Sequence, residues 1–437
     1  MLAPRINKRV INQSINTHFI TAVLGPRRVG KSTLIEEFQN DHPDYTWVTI
    51  NLDELALREL VSQRGVQNII EERCGRKIGT YPKMWVAIDE AQKCPLIFEQ
   101  IKIIYDQSKD KNCIKFILTG SGMLELHQLS AESLAGRIQL NYLTEFTLRE
   151  TMGLNPPFPV SDLSILDLIF DQQWDAVGST IDALSPLRHR ALLALDEQLI
   201  WGGLPEVLLL PDEKKRLTYI VDYLQTYLEK DVRAIATITD LSLYKNLLEI
   251  SAELTGSVRN DQKIIEALHC SRDALKKYRG FLTATLMYQE IYPPITSTLK
   301  RLVKSPKGYL LNNGLISYLT GINTLSVLIK SGQIGHRLEN WFLKELNCAI
   351  ARTPIYSKIH YWRTTAGAEI DFIVQRNPYL FPFEITYSQS IDRKKLRNLH
   401  AFLASEPKAP AGIYIYRGDY QYDKQRRIHF IPAWVIA

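Results

Sequence analysis

Residues 25–32 read GPRRVGKS, set between an apolar run of strand length, FITAVL (19–24), and a helical pattern, TLIEEFQ (33–39). Few folds place a Gly-rich turn between a buried strand and a helix. The backbone N–H groups of such a turn face one concave space, and the helix behind them contributes the positive end of its dipole. The loop therefore suits a dense anion such as a phosphate chain. The spacing G-x-x-x-x-G-K-S is met in full. Gly25 and Gly30 permit the tight turn, Lys31 reaches the β- and γ-phosphates, and the Ser32 hydroxyl offers a ligand to Mg2+. Gly25, Pro26, Arg27, Arg28, Val29, Gly30, Lys31, Ser32 and Thr33 are the expected ATP cradle. Arg27 and Arg28 are read as pairing with protein carboxylates or steadying the loop, rather than doing chemistry.

The surrounding pattern repeats strand and helix. WVTINL (47–52), MWVAIDE (84–90) and IKFILTGS (114–121) are further apolar runs, with helical stretches between them. Alternation of this kind implies a parallel sheet. The third run ends in Asp89 and Glu90, at the strand end where ligands of open α/β sheets gather. With the phosphate loop upstream, Asp89 is expected to hold Mg2+, through its water, and Glu90 to polarise the attacking water. Thr119 and Ser121 close the next strand, where a hydroxyl contacts the γ-phosphate or water; an ordinary loop cap is the equal alternative. Arg137, in SLAGRIQL, suits developing phosphoryl charge in cis or from a neighbouring subunit, and its plainer reading is an ion pair.

The sequence then changes character. Residues 153–161, with Pro156, Pro157 and Pro159, read as a linker, and helical periodicity runs from about 162 to 255, broken at GGLP (202–205). Residues 255–310 hold ten basic and four acidic side chains, which accounts for the whole net charge of +6. Within them NDQKIIEALHC and SRDALKKYRGFLTATL read as helix, turn, helix, with Ser271 as the cap of the second. Arg272, Lys276 and Arg279 are expected on one face of that helix, with Lys277 beside them, and Leu275, Tyr278 and Leu282 on the other. With the strand-like LMYQEIY (286–292) and KGYLLN (307–312), this makes a winged helix-turn-helix. Its basic helix suits phosphates and the major groove of DNA; a solvated helical face or a protein-contact module fits the same pattern.

From about residue 333 a helix, HRLENWFLKEL, precedes the strands IHYWR (359–363), IDFIV (370–374) and FPFEIT (381–386). Glu339 on the helix, Asp371 on one strand and Glu384 on the next follow the pattern of metal-dependent nucleases. The lysine expected two residues after Glu384 is Thr386, and Lys394 and Lys395 fall on a later element. The expectation is a nuclease-like fold without cleavage.

The motifs GPRRVGKST, VAIDEAQ, ILTGS, LAGR, GGLPEV, YLEKDV, LLNNGLISYL, ENWFLKEL and YWRTTAGAEIDFIV, in this order, resemble one family. It is that of the archaeal and bacterial AAA-superfamily ATPases with a C-terminal nuclease-like domain of unknown function. The resemblance implies ATP binding and hydrolysis with Mg2+, a winged-helix middle, a restriction-nuclease-like end and a homo-oligomer. The implied class is α/β: an AAA+-like P-loop NTPase sheet (1–152), a helical lid and linker (153–235), a winged helix-turn-helix (236–312) and a PD-(D/E)XK nuclease-like α/β domain (313–437). The two departures from the family are Thr386 and a long stretch around 154–195 to which no role is assigned.

Composition narrows the field further. The five cysteines are odd in number and form no Cys-x-x-Cys pair, against a disulfide framework or a cysteine zinc site. No signal core and no run of about 18 apolar residues is present, so a cytoplasmic protein that crosses no membrane is expected. Two readings stand at this stage. One is a Mg2+-dependent ATPase coupled to nucleic acid, with DNA as the partner expected from the charge pattern; the other is a nucleotide-dependent switch acting on an unknown protein partner.

Overall fold

A computed structural model describes residues 5–78, 83–108, 114–121, 134–154, 164–232, 240–294, 305–365 and 367–436. The Pro-rich cluster at 156–159 and the cations Lys300, Arg301 and Lys304 lie outside these residues. The chain divides into two compact units: Arg5–Glu145 with Ala284–Leu286, and Phe146–Thr283 with Met287–Ala437.

The first unit is built on a five-stranded sheet: β1 (Ile20–Leu24), β2 (Thr46–Asn51), β3 (Met84–Asp89), β4 (Ile114–Gly120) and β5 (Ile138–Tyr142), in the order β2-β3-β4-β1-β5. Every pairing in it is parallel. Parallel strands joined by helices are covered on both faces, which is why β1 and β4 are buried along their whole length. Their side chains join Val61, Ile70, Ile97, Phe98 and Ile101 in one core. The order sets β4 between β1 and β3. The loop after β1 and the acid pair after β3 thus open on the same edge, with the end of β4 between them.

The second unit carries thirteen α-helices among its described residues, together with two sheets. The antiparallel pair β6 (Tyr288–Ile291) and β7 (Lys307–Leu310) follows the helices Asp261–Leu268 and Arg272–Ala284. Asn260 and Ser271 cap those helices, accepting from Lys263 N at 3.2 Å and Ala274 N at 3.1 Å. The turn between them passes through His269 in the left-handed region (φ 49°). The larger sheet holds β8 (Ser357–Arg363), β9 (Glu369–Arg376), β10 (Tyr379–Ile385), β11 (Gly412–Tyr416), β12 (Gln421–Asp423) and β13 (Ile428–Pro432), in the order β12-β13-β11-β10-β9-β8. The strands β8, β9 and β10 are antiparallel; β10 and β11 are parallel, joined across the helix Arg393–Ser405.

Three of the distant motifs meet at one joint in this unit. A side chain at Gly314 would stand 2.4 Å from the Trp201 carbonyl, and one at Gly202 would stand 2.7 Å from Asn312. Asn340 donates to Asn313 (3.0 Å) and to the Leu310 carbonyl (2.9 Å). Lys344 and Trp341 both donate to Gln198, at 2.7 and 2.8 Å. GGLP, LLNNG and ENWFLKEL thus serve close packing and the satisfaction of buried polar groups.

Candidate functional site

The loop after β1 is shaped by contacts that a Cβ would break. A side chain at Gly25 would lie 2.2 Å from the Leu143 carbonyl, and Gly30 sits at φ +91°. Arg28 also takes a positive φ, 60°. The helix Lys31–Asp41 starts directly behind Gly30, with Ser32 exposed and Thr33 half-buried in its first turn. Lys31 is buried, and its ammonium donates to the carbonyls of Gly25 (3.0 Å) and Pro26 (2.8 Å). Arg5, which carries no motif, donates to the Val29 carbonyl at 2.8 Å and to the Thr144 carbonyl at 2.5 Å. It braces the loop, and no local pattern announces a residue fifteen positions ahead of the strand.

Across the sheet edge, Ser32 Oγ donates to Asp89 Oδ2 at 2.8 Å. Thr119 donates to the other carboxylate oxygen of Asp89 and accepts from Glu90 N at 3.3 Å. Glu90 is itself in the left-handed region, φ 53°, which turns its side chain away from the strand line. Its Oε2 accepts from Ser121 Oγ (3.0 Å) and Gln92 Nε2 (2.5 Å). The structure therefore brings Lys31, Ser32, Asp89, Glu90, Thr119 and Ser121 to one place. Thr119 orients Asp89, and Ser121 holds Glu90. Arg137 pairs with Asp106 at 3.1 Å and lies over the Tyr105 ring at 5.3 Å.

On the second helix of the helix–turn–helix, Arg272, Lys276 and Lys277 are exposed. Arg279 corrects the expected face. It is 8% exposed, beside Leu275, Tyr278 and Leu282, and its guanidinium bonds Asp261 at 2.8 and 3.1 Å and Glu290 at 3.1 Å. Arg259 joins the same carboxylates. An arginine at i+7 has drifted about 20° around the helix, and here two acids draw it inward.

The third cluster lines a cavity of about 570 Å3. Glu339 comes from the helix Ile334–Ala351, Asp371 from β9 and Glu384 from β10, and all three are buried. A lysine is present after all, from the next element. Lys395, on the helix Arg393–Ser405, donates to Asp371 Oδ2 at 2.6 Å and the Ile385 carbonyl at 2.7 Å, and stands 3.1 Å from Glu384 Oε2. Its spacing from Glu384 hid it, because a loop and the start of a helix intervene. Lys307 of β7 enters from the other side, 2.5 Å from Glu369 and 3.5 Å from Glu339. Burial alone would raise the Asp371 carboxyl, but Lys395 and Lys307 hold it at about 2. Burial and then Asp371 push Glu384 well up. Among the described residues, no three His, Cys, Asp or Glu side chains are arranged to hold a metal ion. Among them too, no helix is long and apolar enough to cross a membrane.

Comparisons with known proteins follow this division. Residues 17–152 match the family model for an AAA domain. Residues 192–326 and 334–436 match two domains of unknown function, DUF8612 and DUF4143. Uncharacterized proteins of Mycobacterium bovis and Mycobacterium tuberculosis are each 24% identical over 418 residues, which covers 95% of this chain and 80% of theirs. Among solved structures, a Walker-type ATPase of Pyrococcus abyssi aligns with a TM-score of 0.43 at 17% identity, over 72% of this chain and 94% of that one. The ORC2 protein of Aeropyrum pernix, in its ADP form, aligns with a TM-score of 0.31 at 14% identity, over 74% and 92%. The parallel sheet, the loop geometry and the AAA match together make residues 17–152 an AAA-type, P-loop ATPase-like domain.

Proposed function

We propose that this protein binds and hydrolyses ATP with Mg2+ and couples that cycle to nucleic acid, DNA in the first instance. The observation that carries the first half is the contact between Ser32 and Asp89, which joins the phosphate loop to the acid pair. A hydroxyl and a carboxylate oxygen 2.8 Å apart are hard donors of the kind Mg2+ takes, so these residues fit that ion. Bound there, Mg2+ neutralises phosphate charge. Lys31 and the loop N–H groups bind the β- and γ-phosphates, and Thr119 keeps the Asp89 carboxylate turned to Ser32. Glu90, held by Ser121 and Gln92, accepts a hydrogen bond from the attacking water and orients it. Arg137 serves as a finger in a homo-oligomer only if its pair with Asp106 opens.

Support for the second half is the exposed triple Arg272, Lys276 and Lys277, on the second helix of a helix–turn–helix followed by a strand pair. This reading divides the chain into the ATPase core (1–152), a helical lid (153–235), a winged helix (236–312) and a PD-(D/E)XK-like end (313–437). The test is ATP turnover by purified protein with and without duplex DNA. Turnover without DNA binding, at low salt, moves the assignment to a switch acting on a protein partner. No turnover in either condition overturns the ATPase reading.

A further inference from the structure

Glycine inside a helix weakens it relative to alanine, so a helical glycine calls for a reason. For two of them the reason lies within the fold. A side chain at Gly178 would stand 3.3 Å from the Tyr420 ring, and one at Gly314 would stand 2.4 Å from the Trp201 carbonyl. Gly280, the ninth residue of the helix Arg272–Ala284, has no such contact. A side chain there would meet nothing within 4 Å, its φ is not in the left-handed region, and the residue is exposed. Alanine would therefore suit the unbound protein better than glycine does.

The surroundings of Gly280 say what comes close to it. At about 100° per residue, Gly280 falls between Lys276 and Lys277 in projection and opposite the buried Leu275, Tyr278 and Leu282. It is thus at the middle of the exposed face. Arg272, Lys276 and Lys277 form no ion pair with any described residue, and Asp273 is the helix's only acid. No large apolar side chain is exposed on this helix, which argues against an apolar protein surface as the occupant. Helical side chains lean toward the helix N-terminus, so both lysines lean away from Gly280 and leave its backbone bare. We propose that Gly280 is the point where the sugar–phosphate backbone of duplex DNA comes closest to this helix, with Lys276 and Lys277 reaching the phosphates beside it. A β-carbon at this point holds the duplex off and lengthens both contacts. The inference rests on the DNA reading given above and is independent of the ATPase reading.

The experiment compares the full chain with its Gly280→Ala, Gly280→Leu and Lys276→Ala variants, by fluorescence anisotropy on duplex DNA at several salt concentrations and by thermal unfolding. Gly280→Ala should raise the unfolding midpoint by about 1–3 °C, as alanine does on an exposed helical face. It should nonetheless weaken DNA binding at least about tenfold at every salt concentration, the usual cost of forcing a methyl group into a close contact. Its slope of log K against log salt should equal that of wild type, because no charge is lost, whereas Lys276→Ala flattens the slope by about one unit. Gly280→Leu, also a good helix former, should weaken binding further. Wild-type affinity in Gly280→Ala, or an unfolding midpoint below that of wild type, overturns the inference and leaves the DNA reading standing. No binding by wild type at low salt overturns the DNA reading, and the inference with it.

Discussion

Ser32 and Asp89, 57 positions apart, meet through a 2.8 Å hydrogen bond from hydroxyl to carboxylate. The bond exists because β1 and β3 both flank β4 in a parallel sheet, so the segments following them emerge on the same edge. It ties the nucleotide loop to the acidic strand end before any ligand is considered.

Substitutions in this site should separate binding from turnover. Lys31→Ala should abolish ATP binding, because the ammonium inside the loop is lost. Glu90→Gln should bind ATP as wild type does and lose turnover by about 10²–10⁴-fold, the usual worth of a positioned base. Thr119→Val removes a partner that orients Asp89 and should lower activity or Mg2+ affinity by about 10–100-fold. Calorimetric ATP binding and phosphate release, each at several Mg2+ concentrations, check all three. Wild-type turnover in Glu90→Gln would remove Glu90 from its role.

Duplex DNA binding should depend on three helix cations rather than four. Contacts from Arg272, Lys276 and Lys277 give a slope of log K against log salt near −2.7, at about −0.9 for each phosphate. Alanine at any of them should flatten the slope by about one unit. Arg279→Ala should act differently, costing about 1.5–3 kcal/mol of stability, because Asp261 and Glu290 lose their more buried guanidinium and keep Arg259 alone. Fluorescence anisotropy and urea unfolding distinguish the two effects.

The buried cluster around Lys395 makes a stability prediction. Lys395→Ala leaves Asp371 with Lys307 alone, 4.0 Å away, and should cost about 1.5–3 kcal/mol. Adding Glu384→Gln should recover part of that loss, since contacting residues couple in a double-mutant cycle. Plasmid DNA incubated with wild type and Mg2+ should stay intact. Nicking that disappears in Asp371→Ala would show an active nuclease.

Acid should weaken the second unit through His429. The ring is stacked between Trp174 and Tyr422, at 4.2 and 4.1 Å between centroids. Burial lowers its value from 6.5 to about 4. A depressed value means that the unfolded chain takes up the proton first. The contribution is therefore present above pH 6.5 and is lost as pH falls towards about 4. His429→Phe should flatten this part of the stability profile, measured by urea unfolding between those limits. An unchanged profile would exclude His429 as the group responsible.

What could be read along the chain was local. The phosphate loop is eight consecutive residues whose backbone does the binding, so its glycines, Lys31 and Ser32 are legible without any partner. The alternation of apolar runs and helical stretches foretold the parallel sheet, and Ser271 could be seen as a cap because a cap acts three residues away. Arg5 and Lys307 escaped notice because each acts on residues far from it in sequence, through contacts that only packing creates. Lys395 was visible as a lysine but not as a member of the cluster, since its reach depends on how the helix Arg393–Ser405 crosses between β10 and β11. Arg279 shows the same limit from the other direction. Periodicity placed it with the exposed cations, and Asp261 and Glu290 turned it inward. The sequence by itself determined the loop, the strand ends and the carboxylates; tertiary structure decided which charges meet, because the energy of a buried ion pair depends on separation and desolvation, neither of which is written in residue order.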